Sequence, residues 1–361
     1  MTTRRETMQM MAGAATSAAM AAVAAPTQAR AAATDDLYDR SLVIDALCFG
    51  RGWDEAAFTG LEEAGYAGIV ESLPNSDLQT AIDALVAWRA RVTEHDGRLL
   101  LGLSAADFER AKQSGRTAVL MNFQNATMLE GDADNVEALH ALGMRCFQLT
   151  YNSRNLLGDG CLERTNAGLS DFGVDVVERM NQVGVMVDLS HCGPQTTLDG
   201  IAFSSRPVAM THTFCAALRQ HPRAKSDQAL RACAEKGGVT GMCALGYFIG
   251  PDPGGETTIE HYVDHIEHAV SVAGHEHVAL STDFPPQGIS PWATREEWYE
   301  PRLQFFKPSY EVRWPPWIPE LDSTDRFRNV VRILDGRGWT ERQIELLLGL
   351  NWLRLFRESI G

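Results

Sequence analysis

The chain has 361 residues, 45% hydrophobic and 22% charged, and its formal net charge is −15 at pH 7. These values are typical of a globular enzyme of one large domain or two small ones. The acidic balance and the lack of a run of Lys and Arg argue against a nucleic-acid partner. After the leader, no segment has the roughly eighteen consecutive apolar residues that a membrane span requires.

The first thirty residues differ from the rest of the chain. Arg4 and Arg5 precede a weakly apolar run rich in Ala and Met, and Ala29-Arg30-Ala31 follows it. A paired Arg, a modest apolar stretch and an A-x-A site are typical of a twin-arginine export signal. We predict a signal peptide over 1–31, a single catalytic domain over 32–361, and a periplasmic or secreted protein. The alternative is a disordered Ala-rich leader or a start codon placed too early.

The seven cysteines are an odd number and show no C-x-x-C spacing. This pattern predicts neither a zinc ribbon nor a disulfide framework. Most of them are expected to be buried as small hydrophobic side chains.

Apolar runs alternate with stretches of helical spacing along the chain. We predict strands over 41–47, 67–72, 99–102, 117–123, 145–151, 185–191, 207–212, 238–243 and 277–283. We predict helices over 58–65, 78–93, 136–142, 170–183, 226–236, 257–273, 322–334 and 340–357, and one that Ser104 and Asp107 cap. Eight main strands in alternation with helices predict an α/β fold, a (β/α)8 TIM-type barrel. A doubly wound open sheet is the alternative, but no G-x-G-x-x-G follows the first strand.

Two of the predicted strands end in histidine, His191 and His212. Because parallel strands place their carboxyl ends on one face, the two imidazoles are expected to meet on one metal ion. Asp283, at the end of the eighth strand, is the third expected ligand. Two His and a carboxylate, with room for water, ionise water near neutral pH. Two satisfied core histidines are the alternative.

Two further stretches carry many polar or aromatic groups. The loop over 152–169 is long enough to indicate a function. The segment over 285–319 is dense in Trp, Tyr and Pro, so it is expected to roof the mouth or to pack, for instance at a homodimer interface.

The ordered motifs resemble the membrane dipeptidase, or renal dipeptidase, family of zinc barrels. The similarity runs from about Leu42 to Phe356. It is carried by Leu149-Thr150-Tyr151-Asn152, Gly168-Leu169-Ser170-Asp171-Phe172-Gly173, Val187-Asp188-Leu189-Ser190-His191, Thr211-His212-Thr213, His221-Pro222-Arg223, Gly237-Gly238-Val239, Ser281-Thr282-Asp283-Phe284 and Leu348-Gly349-Leu350-Asn351-Trp352-Leu353-Arg354.

The resemblance implies two zinc ions and a set of site residues. His191 and His212 match ligands of the second metal, and Asp283 matches a first-metal carboxylate that also handles the catalytic proton. Arg223 matches the arginine that holds the substrate carboxylate, and Asn152 lies in a substrate-binding motif.

Several positions depart from the family pattern. The His-x-Asp pair that ends the first strand of the family is Leu47 and Phe49 here, the bridging glutamate is Gln124, and the substrate-polarising histidine is Tyr151. Leucine and phenylalanine cannot ligate a metal, and a neutral amide is a poor bridge between two cations. The first metal site, as the family builds it, is therefore absent.

We consequently expect about one Zn²⁺ per chain, on His191 and His212. Asp283 or a local group is expected to complete the site. The additional candidates are Gln124, Cys48, Cys161 and Glu163. For Cys161 the alternative is a buried thiol, and for Glu163 it is a loop ion pair with Arg164.

The sequence therefore predicts an exported zinc-dependent dipeptidase-like hydrolase that acts on a small molecule. Asp283 is expected to accept the proton of water, and Tyr151 to donate a hydrogen bond to the developing oxyanion. The alternatives are a binding or accessory protein without peptidase activity, and a non-peptide amidase or lyase that uses the same site.

Overall fold

The computed structural model describes residues 30–50, 52–250 and 256–361. Their strands form one parallel sheet in the order β1-β2-β4-β5-β6-β7-β8-β9, with β3 paired to β4. The strands are β1 Ile44–Asp45, β2 Gly68–Leu73, β3 Leu99–Leu101, β4 Thr117–Phe123, β5 Met144–Gln148, β6 Met186–Asp188, β7 Ala209–Thr213, β8 Val239–Met242 and β9 Val278–Leu280.

The first and last strands of this order close the sheet into a barrel. The backbone N–H of Asp283 donates to the carbonyl of Leu47 at 2.9 Å, and Cys48 forms a parallel bridge with Phe284. The predicted (β/α)8 barrel is confirmed. The short strand β3 runs beside the lower half of β4 and is not one of the eight barrel strands.

Helices follow most of the strands. They are α1 over 30–40, α2 Glu55–Ala64, α3 Leu78–Glu94, α4 Ala105–Ser114, α5 Asn135–Ala141, α6 Asp171–Val183, α7 Pro194–Phe203, α8 Asp227–Glu235, α9 Gly246–Ile249, α10 Ile259–Ala273, α11 Glu300–Phe305, α12 Arg326–Gly336, α13 Glu341–Glu345 and α14 Asn351–Ser359. The predicted capping box of Ser104 and Asp107 starts α4. A π turn, Leu346–Leu350, joins α13 to α14.

The two faces of the sheet bury different clusters. Ile69 and Val119 pack outward into the large core beneath the helices. Their neighbours Val70 and Leu120 point into the barrel, where they meet Trp352 of α14. Gly241 makes room for the Trp352 side chain, because a Cβ there would lie 2.1 Å from the carbonyl oxygen of Thr211 and 2.9 Å from the Trp352 ring.

The loop over 152–169 is compact and is built around Asp159. The buried carboxylate of Asp159 accepts hydrogen bonds from Arg154 at 2.5 Å, from Thr165 at 2.8 Å and from the backbone of Ala167 at 2.6 Å. These bonds, with the charge of Arg154, lower the pKa of Asp159 to about 2. A short bridge between Gly158 and Leu169 closes the loop on itself, and one between Gly160 and Cys192 attaches it to the segment after β6.

All seven cysteines are free and buried. No helix in the described ranges has the length and apolar character needed to cross a membrane. The predicted signal over 1–31 lies almost wholly outside the described residues, so the export prediction stays a prediction.

Candidate functional site

A cavity of about 310 Å³ opens at the carboxyl ends of the strands. Its lining comes from several strand ends and from the segment after β9. The lining residues are Phe49, Gly50, Ser72, Gln124, Tyr151, His191, Leu245, Tyr247, Asp283, Ile289, Trp298, Arg302, Phe306 and Tyr310. The aromatic segment over 285–319 therefore roofs the mouth, and Trp314 packs behind Trp298 with ring centroids 6.3 Å apart.

His191 and His212 face each other at the floor of the mouth, with their Nε2 atoms 3.0 Å apart. Nδ1 of His191 lies 2.7 Å from the amide oxygen of Asn152, which only accepts, so this nitrogen carries the proton. Nδ1 of His212 lies 2.9 Å from Oγ1 of Thr211. That hydroxyl donates its own proton to Asp188, so His212 Nδ1 is also protonated. The two Nε2 lone pairs therefore converge.

Both imidazoles are neutral in this environment. Burial, followed by the charge of Arg223, lowers the pKa of His191 and of His212 well below the ordinary value. Two lone pairs that converge between neutral rings suit a cation bound to both, and outer Nδ1–H bonds are the usual way in which metal-binding histidines are oriented. The pair thus fits one divalent cation.

The structure does not fit a second ion where the family builds one. Leu47 is fully buried and apolar, and Phe49 presents a ring to the cavity. The amide nitrogen of Gln124 donates to Ser72 at 2.9 Å. Among the described residues no group of three or more His, Cys, Asp and Glu is arranged to hold a metal ion. In this conformation Asp283 is therefore not grouped with the two histidines, and its expected role as a third ligand stays a prediction.

Asp283 lines the same cavity in a strained conformation. Its φ is +64°, a value that non-glycine residues rarely adopt and that is often found at functional sites. Burial raises the pKa of its carboxyl to about 7, against the opposing charges of Arg223 and Arg302. The group is thus suited to exchange a proton near neutral pH.

Tyr151 stacks on His191, with ring centroids 4.1 Å apart and planes inclined by 19°. Burial raises the pKa of its hydroxyl far above neutral, so the group remains a proton donor. It lines the cavity beside His191 and Asp283, where a donor can reach an oxyanion.

Arg223 differs most from its expected role. The side chain is 1% exposed and does not line the cavity. One guanidinium nitrogen donates to the carbonyl of Ser190, and another donates to the carbonyl of His212 at 2.6 Å. Arg223 therefore ties the two histidine-bearing segments together, and its Nε is buried without a hydrogen-bond partner.

The remaining candidates support the site or lie away from it. The Cys161 thiol contacts the Asn152 amide oxygen at 3.2 Å, and its backbone N–H donates to the carbonyl of His191 at 2.9 Å. Burial raises the pKa of this thiol to about 11. Cys48 is buried beside β9. Glu163 is half-exposed outside the cavity, and its carboxylate accepts from the backbone of Arg164 at 2.9 Å.

Sequence reasoning did not name several of the residues that line the cavity. Tyr247, Arg302, Phe306 and Tyr310 all line the cavity. The aromatic density of the segment marks the region, but no local pattern marks Arg302. It reaches the mouth only because a π turn, Arg295–Tyr299, and α11 fold back over the barrel.

The family profile described as Membrane dipeptidase (Peptidase family M19) matches residues 5–294. The chain belongs to the membrane dipeptidase family. The members of this family are metal-dependent peptidases. The resemblance of the sequence motifs is thereby confirmed.

Relatives and solved structures are similar to most of this chain. Dipeptidase verJ of Clonostachys rogersoniana is 28% identical over 266 residues, 73% of this chain and 61% of that protein. An amidohydrolase from Pseudomonas aeruginosa is 29% identical, with a TM-score of 0.81 over 91% of this chain and 99% of that one. A solved dipeptidase of family M19 is 18% identical, has a TM-score of 0.73 over 89% of this chain and 99% of its own, and supports the fold alone.

Proposed function

We propose that this protein is an exported hydrolase that cleaves the amide bond of a dipeptide or a related small amide with the help of one zinc ion. The observation that carries the proposal is the pair of neutral imidazoles whose Nε2 atoms lie 3.0 Å apart beside a cavity that Asp283 also lines. His191 and His212 would hold the ion, which when bound supplies a Lewis acid that lowers the pKa of water.

The chain's own residues have separate tasks in this proposal. Asp283, with its pKa raised to about 7, accepts the proton of the attacking water and returns it to the leaving amine. The Tyr151 hydroxyl donates to the oxyanion that forms on the substrate carbonyl. Arg223 positions the segments that carry the two histidines. The aromatic roof excludes water from the reacting groups.

The experiment is a metal analysis of the purified, unchelated mature protein by mass spectrometry. We expect about one zinc per chain, together with turnover of a dipeptide panel, and loss of both in the double variant His191→Ala, His212→Ala. The matched control is His268→Ala, because His268 pairs with Asp227 on the outer helices, 2.8 Å away. Unchanged metal content and activity in the double variant would contradict the proposal.

Export and assembly are part of the same proposal. Arg4 and Arg5, the apolar run and the A-x-A site support passage by the twin-arginine route and a periplasmic location. Replacement of both arginines by lysine is expected to leave the protein in the cytoplasm, which cell fractionation measures. The proposed partner is a small dipeptide-like molecule. We also propose that the protein assembles as a homodimer, which sedimentation of the purified protein tests.

A second candidate function is a binding or accessory protein of the same family without peptidase activity. It is favoured by Leu47, Phe49 and Gln124, which replace three of the family's metal ligands. Retained zinc without turnover of any dipeptide would support it. Turnover of other amides only, in a broad substrate screen, would instead support a non-peptide amidase or lyase.

A further inference from the structure

Three tyrosines, Tyr151, Tyr247 and Tyr310, line the cavity. Tyr151 stacks on His191 and is the proposed donor to the oxyanion. The other two, here called the phenol pair, come from α9 and from the turn Pro308–Tyr310, and they are only 4% and 2% exposed. Neither hydroxyl of the phenol pair has a hydrogen-bond partner among the described residues. Both donors are therefore available to a molecule in the cavity.

Two other buried tyrosines show the usual arrangement. The Tyr38 hydroxyl donates to the carbonyl of Ala64 at 2.8 Å, and the Tyr262 hydroxyl donates to the carbonyl of Ser281 at 2.8 Å. A buried phenol normally has such a partner, because an unmade hydrogen bond costs free energy. The Tyr66 hydroxyl also has none among the described residues, but its oxygen is enclosed. The oxygens of the phenol pair keep accessible surface at a cavity, so a ligand there can supply their partner.

The rings that carry these two hydroxyls are held in place by other aromatic side chains. The Phe248 ring lies 4.5 Å from that of Tyr247 and 5.5 Å from that of Tyr310, measured between centroids. The Tyr310 ring also stacks on Phe306 at 4.4 Å, and Trp298 contacts Tyr247 at 6.4 Å. Rotation of the O–H bond is the main freedom that this packing leaves. Little conformational entropy is therefore lost when the phenol pair binds a ligand.

The charges near the phenol pair favour an acceptor that is negatively charged. Burial raises the pKa of both hydroxyls well above the ordinary value, so they keep their protons and donate. The charge of Arg302 lowers the pKa of Tyr247, and the charge of Arg223 lowers that of Tyr310. Asp283 opposes this effect at Tyr247, but its own pKa is raised to about 7, so it carries only part of its charge at neutral pH. Two donors and two guanidinium charges together stabilise an anionic oxygen.

We propose that the phenol pair binds the free carboxylate of the substrate, with the Tyr247 and Tyr310 hydroxyls as hydrogen-bond donors. The charges of Arg223 and Arg302 attract the same carboxylate into the cavity. The substrate class is then a small amide with a free carboxylate, and the phenol pair sets the preference for that acid over its carboxamide. This inference rests on the proposed function, since the carboxylate belongs to the molecule whose amide bond is cleaved.

The test uses an uncleavable probe, the reduced-amide analogue of glycyl-alanine, in which CH₂–NH replaces the amide, and the same molecule with a carboxamide in place of the carboxylate. Calorimetry measures the binding of each to the purified, unchelated protein. We expect the wild-type protein to bind the acid about a hundredfold more tightly than the carboxamide.

Tyr247→Phe and Tyr310→Phe keep the rings and remove only the hydroxyls. Each is expected to weaken binding of the acid about tenfold and binding of the carboxamide at most about threefold, because a hydrogen bond to a charged acceptor is the stronger one. The double variant should keep part of the preference, since the guanidinium charges remain. Tyr299→Phe is the matched control: Tyr299 lies on the same segment as Tyr310 and stacks with Arg295 at 4.7 Å, outside the cavity lining.

Three results overturn the inference. They are a wild-type protein that binds neither probe or does not prefer the acid, variants that keep the wild-type preference, and variants that lose equal affinity for both probes, which would place the hydroxyls on another part of the ligand. Failure of the proposed function is distinguishable from all three. If glycyl-alanine is not hydrolysed while the preference for the acid depends on the phenol pair, the hydrolase proposal fails and the carboxylate site stands.

Discussion

Two strand pairs at the mouth of the barrel are braced by the same arrangement. On one side, Asp188 of β6 accepts from the backbone N–H of Ser190 and Thr211 at 3.0 Å each, and from the Thr211 hydroxyl at 2.5 Å. On the other side, Asp45 of β1 accepts from the backbone N–H of Leu47 at 3.3 Å and of Thr282 at 3.0 Å, and from the Thr282 hydroxyl at 2.6 Å. Each aspartate, with the donors that it binds, joins two neighbouring strand ends. The first brace is that of Asp188 and the second is that of Asp45, and the two share one geometry.

The side chains that these braces carry are different. The first brace presents His191 and His212, whose lone pairs converge. The second presents Asp283, with Leu47 buried and Cys48 held in a bridge to Phe284. The Ser190 hydroxyl also donates to Asp188 at 2.6 Å, whereas Leu47 has no hydroxyl for Asp45. Bracing is therefore a property of the barrel, and metal binding depends on the residues that follow the brace.

The difference between the two braces is tested most directly by restoring metal ligands beside Asp283, at the Asp45 brace. In the triple variant Leu47→His, Phe49→Asp, Gln124→Glu, we expect the metal content to rise from about one to about two ions per chain, because one imidazole and two carboxylates are then added beside Asp283. Mass spectrometry of the unchelated protein measures this content. Cys48→Ala is the control and should keep the wild-type content. A triple variant that still binds one ion would show that the second side cannot form a site.

The braces differ in the stability that they confer. Asp188→Asn is expected to lower the free energy of unfolding by roughly 2–4 kcal/mol, because the charge is lost and the Thr211 hydroxyl, which donates to one oxygen by itself, then faces an amide nitrogen, while the other oxygen keeps three donors. Asp45→Asn is expected to cost less at pH 7, since burial raises the pKa of Asp45 to about 7 and the wild-type protein has by that pH lost the stability that this raised pKa confers at lower pH. Chemical denaturation of both variants gives the two values, and equal costs at pH 7 would contradict this account.

The raised pKa of Asp45 predicts that the stability of the protein depends on pH, and it fixes the sign of that dependence. The pKa of Asp45 is about 7 in the folded chain, against an ordinary value of 3.8. The folded state therefore keeps a proton that the unfolded state releases between these values, and the wild-type protein loses stability as the pH rises from about 4 to about 7. The advantage of the wild type over Asp45→Asn is expected to shrink over that window. A constant difference would show that Asp45 does not titrate there.

A smaller effect is expected from the group behind His191. Asn152→Ala removes the acceptor that fixes the proton on Nδ1 of His191, and we expect about tenfold weaker zinc binding. A competition assay with a chelator measures the affinity. Cys161→Ala, one contact further from the ring, is the control and should change the affinity by a smaller factor. An equal or larger effect of Cys161→Ala would place the thiol closer to the ion than its contacts indicate.

Much of the fold was predictable because the signals for it are local. The strand over 117–123 and the capping box of Ser104 follow directly from apolar runs and helix-start residues. The strand predicted over 185–191 is regular only over Met186–Asp188. The Leu189 N–H still donates to the carbonyl of Ala209 on β7, but the Ser190 N–H donates to the Asp188 side chain rather than to a neighbouring strand. Side chains of this kind shorten strands in a way that apolar patterning does not indicate.

The sequence by itself determined the alternation of strands and helices, and therefore the barrel and the mouth at which His191, Asp283 and Tyr151 meet, since strand ends of a barrel share one face. Only the tertiary structure decided which arginine faces the cavity. Arg223 follows a family motif but is bound by two carbonyls, whereas Arg302 lies in a segment without a motif and is brought over the mouth by the packing of its neighbours. Arg223 is fixed by contacts with Ser190 and His212, and Trp298, which carries Arg302, packs on Tyr247; no local pattern encodes these contacts between residues distant in sequence.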